Sequence, residues 1–163
     1  MSHTGSKYIR FTGVVAAVIL LDQFTKYLVL RMIPLYKSIT VIPGFFNLTH
    51  IHNPGGAFGF MAQNGSPWRH WMFLIAAVVA LSMILYFYHH TPRTHPFLGL
   101  GLSLIFGGAI GNLIDRLRFG EVIDFLDFYV AHLHWPTFNL ADSAVTVGVG
   151  IFVLHIVFKK MPF

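Results

Sequence analysis

The chain has 163 residues, of which 55% are hydrophobic and only 10% charged, with a mean hydropathy of +0.66. A water-soluble domain of this length needs more charge to cover its surface, so the composition points to lipid as the solvent. The net charge of +5 comes from basic residues flanking apolar segments, which fits anionic headgroups and excludes a nucleic-acid stripe, and the absence of cysteine removes disulfides, thiolate catalysis and Cys-based metal sites.

Four segments approach the ~20 residues a bilayer requires: about 9–30, 70–88, 97–116 and 140–158. In the first, Lys7 and Arg10 precede the apolar run Phe11 to Leu21, as in a signal peptide. "LLDQFTK" follows instead of a small-residue cleavage site, so an uncleaved span is expected. Between spans one and two, about 33–69, "SITVIPGFFNLTHIHNPGGAFGF" alternates β-branched and aromatic residues and breaks at Pro43-Gly44 and Pro54-Gly55-Gly56. Short strands and turns, forming a small β-subdomain on the membrane surface, are predicted there.

"HHTPRTHP" is a short link to span three, whose Gly107 and Gly111 lie four apart. Close helix packing is the preferred reading, because no lysine follows the glycines and the run lies within a span. Between spans three and four, "RFGEVIDFLDFYVAHLHWPTFN" mixes aromatics with acids as an interfacial segment does. The expected fold class is an all-α integral membrane protein, one domain over 1–163, with four transmembrane helices and a small β-subdomain between helices one and two. Four spans place both termini on one side. Lys7, Arg10, Arg93, Lys159 and Lys160 lie there, against Arg31, Lys37, Arg69, Arg116 and Arg118 opposite. That count is level, and the short basic tails tilt the expectation towards cytoplasmic termini.

On this topology every acid of the chain, Asp22, Asp115, Glu121, Asp124, Asp127 and Asp142, falls near one membrane face, as does the loop carrying Asn53. Ionisable groups at membrane depth are costly, which makes function the default explanation. Asp22 and Lys26 are four apart with the acid first, and a structural ion pair is the better reading for them. Glu121 and Asp127 read as the wet side of an interfacial turn. Asp142 could serve only the dipole of a helix capped by Asn139, and Asp124 and Asp142, taken singly, stay balanced between structure and chemistry.

The pair is more informative. Asp142 opens a span, Asp124 lies in the loop before it, and Asn112, Asp115 and Arg116 close the preceding span. Two carboxylates sharing one proton can activate water and protonate a carbonyl or a leaving amine without metal or nucleophile, which is aspartyl-protease chemistry. His50 with His52, and His132 with His134, could face one way from a strand and hold a metal. No HExxH is present, and surface or interfacial histidines are preferred. A small transporter using acids as an ion path is the competing class, but its site is expected near the bilayer midplane between matching halves, and these halves do not match.

Together "LLDQFTK" (20–26), "HNPGGAFG" (52–59), "GGAIGNLIDR" (107–116), "GEVIDF" (120–125) and "FNLADSAVTVG" (138–148) resemble the bacterial lipoprotein signal peptidases, the signal peptidase II family. The resemblance implies a four-helix aspartyl endopeptidase of the cytoplasmic membrane, with a β-cradle and active site on its periplasmic side. It implies removal of signal peptides just before a diacylglyceryl-modified cysteine of the prolipoprotein. The family's catalytic dyad maps onto Asp124 and Asp142, and its supporting polar residues onto Asp22, Lys26, Asn53, Asn112, Arg116 and Asn139. Gly56 stands where family members commonly have alanine, which bears on the loop's contacts with substrate. Asp115 and Gly56 are counted with the supporting residues, and hydrogen bonds from Asn112 and Asn139 are expected to fix the two acids. No metal or cofactor is expected. The partners expected are the prolipoprotein and membrane lipids, not nucleic acid, and the chain is expected to act as a monomer.

Overall fold

The computed structural model describes residues 3–55 and 68–158. Four helices, α1 (His3–Met32), α2 (Trp68–His90), α3 (Pro96–Phe119) and α4 (Leu140–Val157), are each long and apolar enough to cross a membrane. They cover the four expected spans, with α1 starting earlier than the apolar run indicates. Large apolar side chains on their outer faces, such as Leu20, Phe24, Ile75, Val78, Val153 and Val157, are exposed. On a chain of this hydropathy such faces meet lipid.

Helix α3 is the centre of the bundle and packs against the other three. Its glycines make this possible. A β-carbon on Gly107 would come within 2.9 Å of the Val18 side chain of α1, and one on Gly111 within 2.6 Å of the Asp22 carboxylate. On the α4 side, Gly101 faces Ile151, Gly108 faces Ala141 and Val145, and Gly148 of α4 faces the main chain of Gly101. The close packing expected of Gly107 and Gly111 is thus present. It is the small-residue contact that substitutes for a hydrophobic driving force in lipid.

A four-stranded antiparallel sheet, ordered β1 (Ser38–Ile42), β2 (Phe46–Asn53), β3 (Val122–Val130), β4 (Leu133–His134), lies beyond the ends of α1 and α3. The β1–β2 turn contains Pro43 and Gly44, with Gly44 at φ 78°, the left-handed geometry a short hairpin loop needs. Val29 at the end of α1 packs against Ile123 and Phe125 of β3, which seats the sheet on the bundle.

Half of the sheet comes from the α3–α4 connection, where the sequence suggests an interfacial segment with an acidic turn. The spacing of three among Glu121, Asp124 and Asp127 mimics a helical turn. In a strand, positions an odd number apart point to opposite faces. Asp124 and Val122 face one side, and Asp127 the other. Asp127 is buried, not wet: its carboxylate accepts from the Asn47 amide at 2.9 Å and pairs with His134 Nδ1 at 2.7 Å. Glu121 is partly exposed and meets His52 Nδ1 at 3.2 Å.

Candidate active site

Three chain reversals bring the polar residues together. Helix α3 stops at Gly120, whose φ of 76° allows the left-handed C-cap and whose N–H donates to the Arg116 carbonyl. The chain turns directly into β3, so the Ile123 N–H reaches Asp115 Oδ2 at 3.2 Å. After β4 the chain returns along β3, where Leu126 N donates to the Phe138 carbonyl at 2.8 Å. That places Asn139 beside Asp124. Asn139 then opens α4 through a capping box: its side-chain oxygen accepts from Asp142 N at 2.9 Å, while Asp142 Oδ2 accepts from Asn139 N at 3.2 Å.

Asn139 also joins the two carboxylates. Its amide donates to Asp124 Oδ1 at 2.8 Å and to Asn112 Oδ1 at 3.1 Å, and Asn112 donates to Asp142 Oδ1 at 2.8 Å. Asp124 Oδ2 accepts from Asn53 at 2.9 Å. The Asn53 side-chain oxygen in turn accepts from the Gly55 N–H at 2.9 Å, which turns its amide towards Asp124. The expected hydrogen bonds from Asn112 and Asn139 are therefore formed, one to each acid.

Behind this layer lies a buried ionic network. Lys26, only 1% exposed, donates to Asp22 Oδ2 at 2.9 Å, Asp115 Oδ2 at 2.7 Å and Asn112 Oδ1 at 3.1 Å, which uses all three of its protons. The Asp22–Lys26 ion pair predicted from their spacing is present. Asp22 Oδ1 accepts from the Ala141 N–H at 3.0 Å and so holds the first turn of α4, the turn that carries Asp142. Neither Asp22 nor Asp115 lines the cavity described next, which gives them a structural position.

Asp124 and Asp142 open onto one cavity of about 570 Å³, with Asn53, Asn112 and Arg116 at its polar end and Phe138, Val145 and Val147 among its apolar walls. A slightly larger hollow, about 640 Å³, lies at the other end of the bundle and has no carboxylate in its walls. Arg116 Nη2 donates to the Gly55 carbonyl at 3.0 Å and its guanidinium lies 4.9 Å from the Phe73 ring centroid, so α3 holds the end of the Asn53 loop. Burial pushes the Asp124 carboxyl up to about 7, with the nearby Asp142 charge adding to the rise and the Asn53 and Asn139 hydrogen bonds opposing it. Asp124 therefore shares its proton with solvent near neutral pH and holds it in most molecules below about 7.

Gly56 lies outside the described residues. The sequence does not single out Gln23, which donates to Asp22, to Asp115 and to the Gly111 carbonyl at 3.0–3.2 Å. Its only signal is its place next to Asp22 in "LLDQFTK". Gly55, whose main chain meets both Asn53 and Arg116, stands out in the sequence only as part of the Pro54-Gly55-Gly56 turn. His50 and His52 contact each other through Nε2 at 3.1 Å, whereas His134 stacks on Tyr129. Among the described residues no three His, Asp or Glu side chains converge to hold a metal.

A family model described as signal peptidase (SPase) II matches residues 14–158. The chain belongs to the signal peptidase II family. It is 53% identical over 154 residues to the lipoprotein signal peptidase of Desulforapulum autotrophicum, covering 94% of this chain and 95% of that one. To the lipoprotein signal peptidase of Alteromonas mediterranea it is 45% identical over 146 residues, covering 90% and 79%. Its fold is similar to a bacterial membrane enzyme structure solved by the in meso method at 2.3 Å resolution, with a TM-score of 0.82 at 32% identity, covering 97% of this chain and 91% of the other. The five sequence blocks of the resemblance all fall within or beside the matched residues.

Proposed function

We propose that Asp124 and Asp142 are the catalytic pair with which this chain cuts prolipoproteins. Membership of the signal peptidase II family makes it an aspartic-type protease that removes signal peptides from lipoproteins, and its four apolar helices make it a multi-pass bacterial membrane protein. The observation that carries the assignment is geometric. Two carboxylates from different elements, linked by one buried asparagine, front a single cavity that is polar at one end and apolar along its walls.

The chemistry follows from one shared proton. Asp142, acting as the base, takes a proton from water as the water oxygen attacks the scissile carbonyl carbon, while Asp124 gives its proton to the carbonyl oxygen. Collapse of the tetrahedral diol breaks the C–N bond. The leaving amine receives the proton held by Asp142, and the proton of the diol hydroxyl returns to Asp124. One water is consumed, one carboxyl and one amine are formed, and the pair regains its single proton. Asn53 and Asn139 each occupy one oxygen of Asp124, so the acid proton uses a remaining lone pair on the cavity side.

The site lies at the mouth of α4 because the scissile bond sits at the membrane surface, held by the lipid on the substrate's cysteine and by its apolar signal helix. Both termini face the cytoplasm, the active site faces outwards, the enzyme acts as a monomer, and cleavage falls just before the diacylglyceryl cysteine. The test is to incubate purified protein with diacylglyceryl-modified prolipoprotein and with the unmodified precursor. Cleavage of the modified form at that bond is expected. Ion flux into vesicles without cleavage would instead favour the transporter class.

A further inference from the structure

The hollow of about 640 Å³ at the opposite end is bounded by the start of α1, the end of α2 and the start of α3. Lys7, Arg10, Arg93 and His95 line it, and no acid does. Asp22 is the nearest acid along α1 to Arg10, and twelve residues of helix separate them by roughly 18 Å. Lys7 is fixed in place: its ammonium donates to the carbonyls of His89 at 3.0 Å and Thr91 at 2.6 Å and lies 4.9 Å from the Tyr88 ring centroid. Arg10 and Arg93 are exposed and form no ion pair with any described residue. Gly13, Val14, Gly99 and Leu100 make the deeper wall apolar.

We propose that this hollow binds one anionic phospholipid of the leaflet that faces the chain termini. Its phosphate lies against Arg10, Arg93 and Lys7, and one acyl chain runs along Val14 and Leu100. Three cations at the end of a membrane-spanning bundle, with no side-chain carboxylate among the described residues that line the hollow, attract an anion. The apolar wall behind them suits a chain that a free anion does not possess. The His95 side chain makes no cap hydrogen bond, so the positive end of the α3 dipole adds to the attraction. The basic start of a signal peptide is repelled by the same charges.

The test uses the full-length protein in a neutral detergent, with bound lipid counted by native mass spectrometry. One phosphatidylglycerol should be retained with an affinity on the order of tenfold or more above that of phosphatidylcholine. The double variant Arg10→Gln/Arg93→Gln should lose that preference while cleaving substrate at the native rate. Should that variant fail to fold, Arg10→Lys/Arg93→Lys should keep the preference. Equal retention of the two lipids, an undiminished preference in the glutamine variant, or a lost preference in a folded lysine variant would each overturn the proposal. So would displacement of the lipid by inorganic phosphate at equal concentration, which would reduce the hollow to a simple anion site.

Discussion

Asp124 is a buried carboxylate in an environment far from that of an ordinary surface one. Its carboxyl, raised to about 7 by burial, lies well above the usual value near 4. The native protein therefore binds this proton more tightly than the unfolded chain between about pH 4 and 7. Asp124 accordingly adds stability at the acid side, and that contribution is lost as pH rises through about 7. Activity follows the same proton. As pH rises through about 7 the pair becomes doubly charged, and kcat/KM should fall by about tenfold per unit above that point. A pH–rate profile in detergent checks this; a flat profile up to pH 9 would mean that Asp124 does not carry the proton. Asn53→Ala removes one donor to the charged form, so the descending limb should move to higher pH.

The elements differ in how plainly the sequence announces them. The helices were legible because a span is a local property: length and hydropathy suffice, and the four predicted ranges meet α1 to α4 within a few residues except at the start of α1. Strands β1 and β2 were legible from alternation and from the Pro43-Gly44 turn. Strand β3 was not, because it becomes a strand by pairing with β2 about seventy residues earlier, while its acids at intervals of three suggest a turn. Half of the site is legible for the same kind of reason. Asp22 with Lys26, and Asn139 with Asp142, are contacts within one helix or cap, whereas the bonds of Asn53 and Asn139 to Asp124 join distant segments. The span order brings Asp124 near Asn112 and Asp142, and bonds from Asn112 and Asn139 to the acids are expected, whereas the bond of Asn53 to Asp124 is not: Asn53 enters only as a supporting residue that the resemblance implies.

Two element-scale outcomes follow. Gly108 faces the carbonyl of Ala141, so Gly108→Ala should push α4 away from α3 and cost about 1–3 kcal/mol of stability, read as a lowered thermal midpoint. Gly150, with nothing within 4 Å of a new β-carbon, is the control and should tolerate alanine. Asp22→Asn leaves Asp115 to pair with Lys26 but weakens the hold on the first turn of α4. It should lower stability by about 1–3 kcal/mol and reduce turnover without abolishing it. Unchanged stability with abolished turnover would assign Asp22 to the chemistry.

At the scale of the whole molecule, charge is sorted to the two ends. The acidic side chains gather around the sheet and the cavity of Asp124 and Asp142, while at the other end Lys7, Arg10 and Arg93 stand with no acidic side chain among the described residues that line their hollow. The proposed orientation predicts that a cysteine at exposed Thr40 in β1 is labelled only from outside and one at exposed Thr94 only from the cytoplasm. The chain has no cysteine of its own to confuse the readout. Labelling of position 40 from the cytoplasmic side alone would invert the topology.

The central claim is that Asp124 and Asp142 work as one unit. It is tested most directly by the turnover of diacylglyceryl prolipoprotein by four purified proteins: the native chain, Asp124→Asn, Asp142→Asn and the double variant. An asparagine can hydrogen-bond but cannot exchange the proton, so each single variant should fold, bind substrate and lose at least about a thousandfold in kcat, with the double variant little worse than either. Near-native turnover by either single variant, or losses that simply multiply in the double variant, would contradict the account.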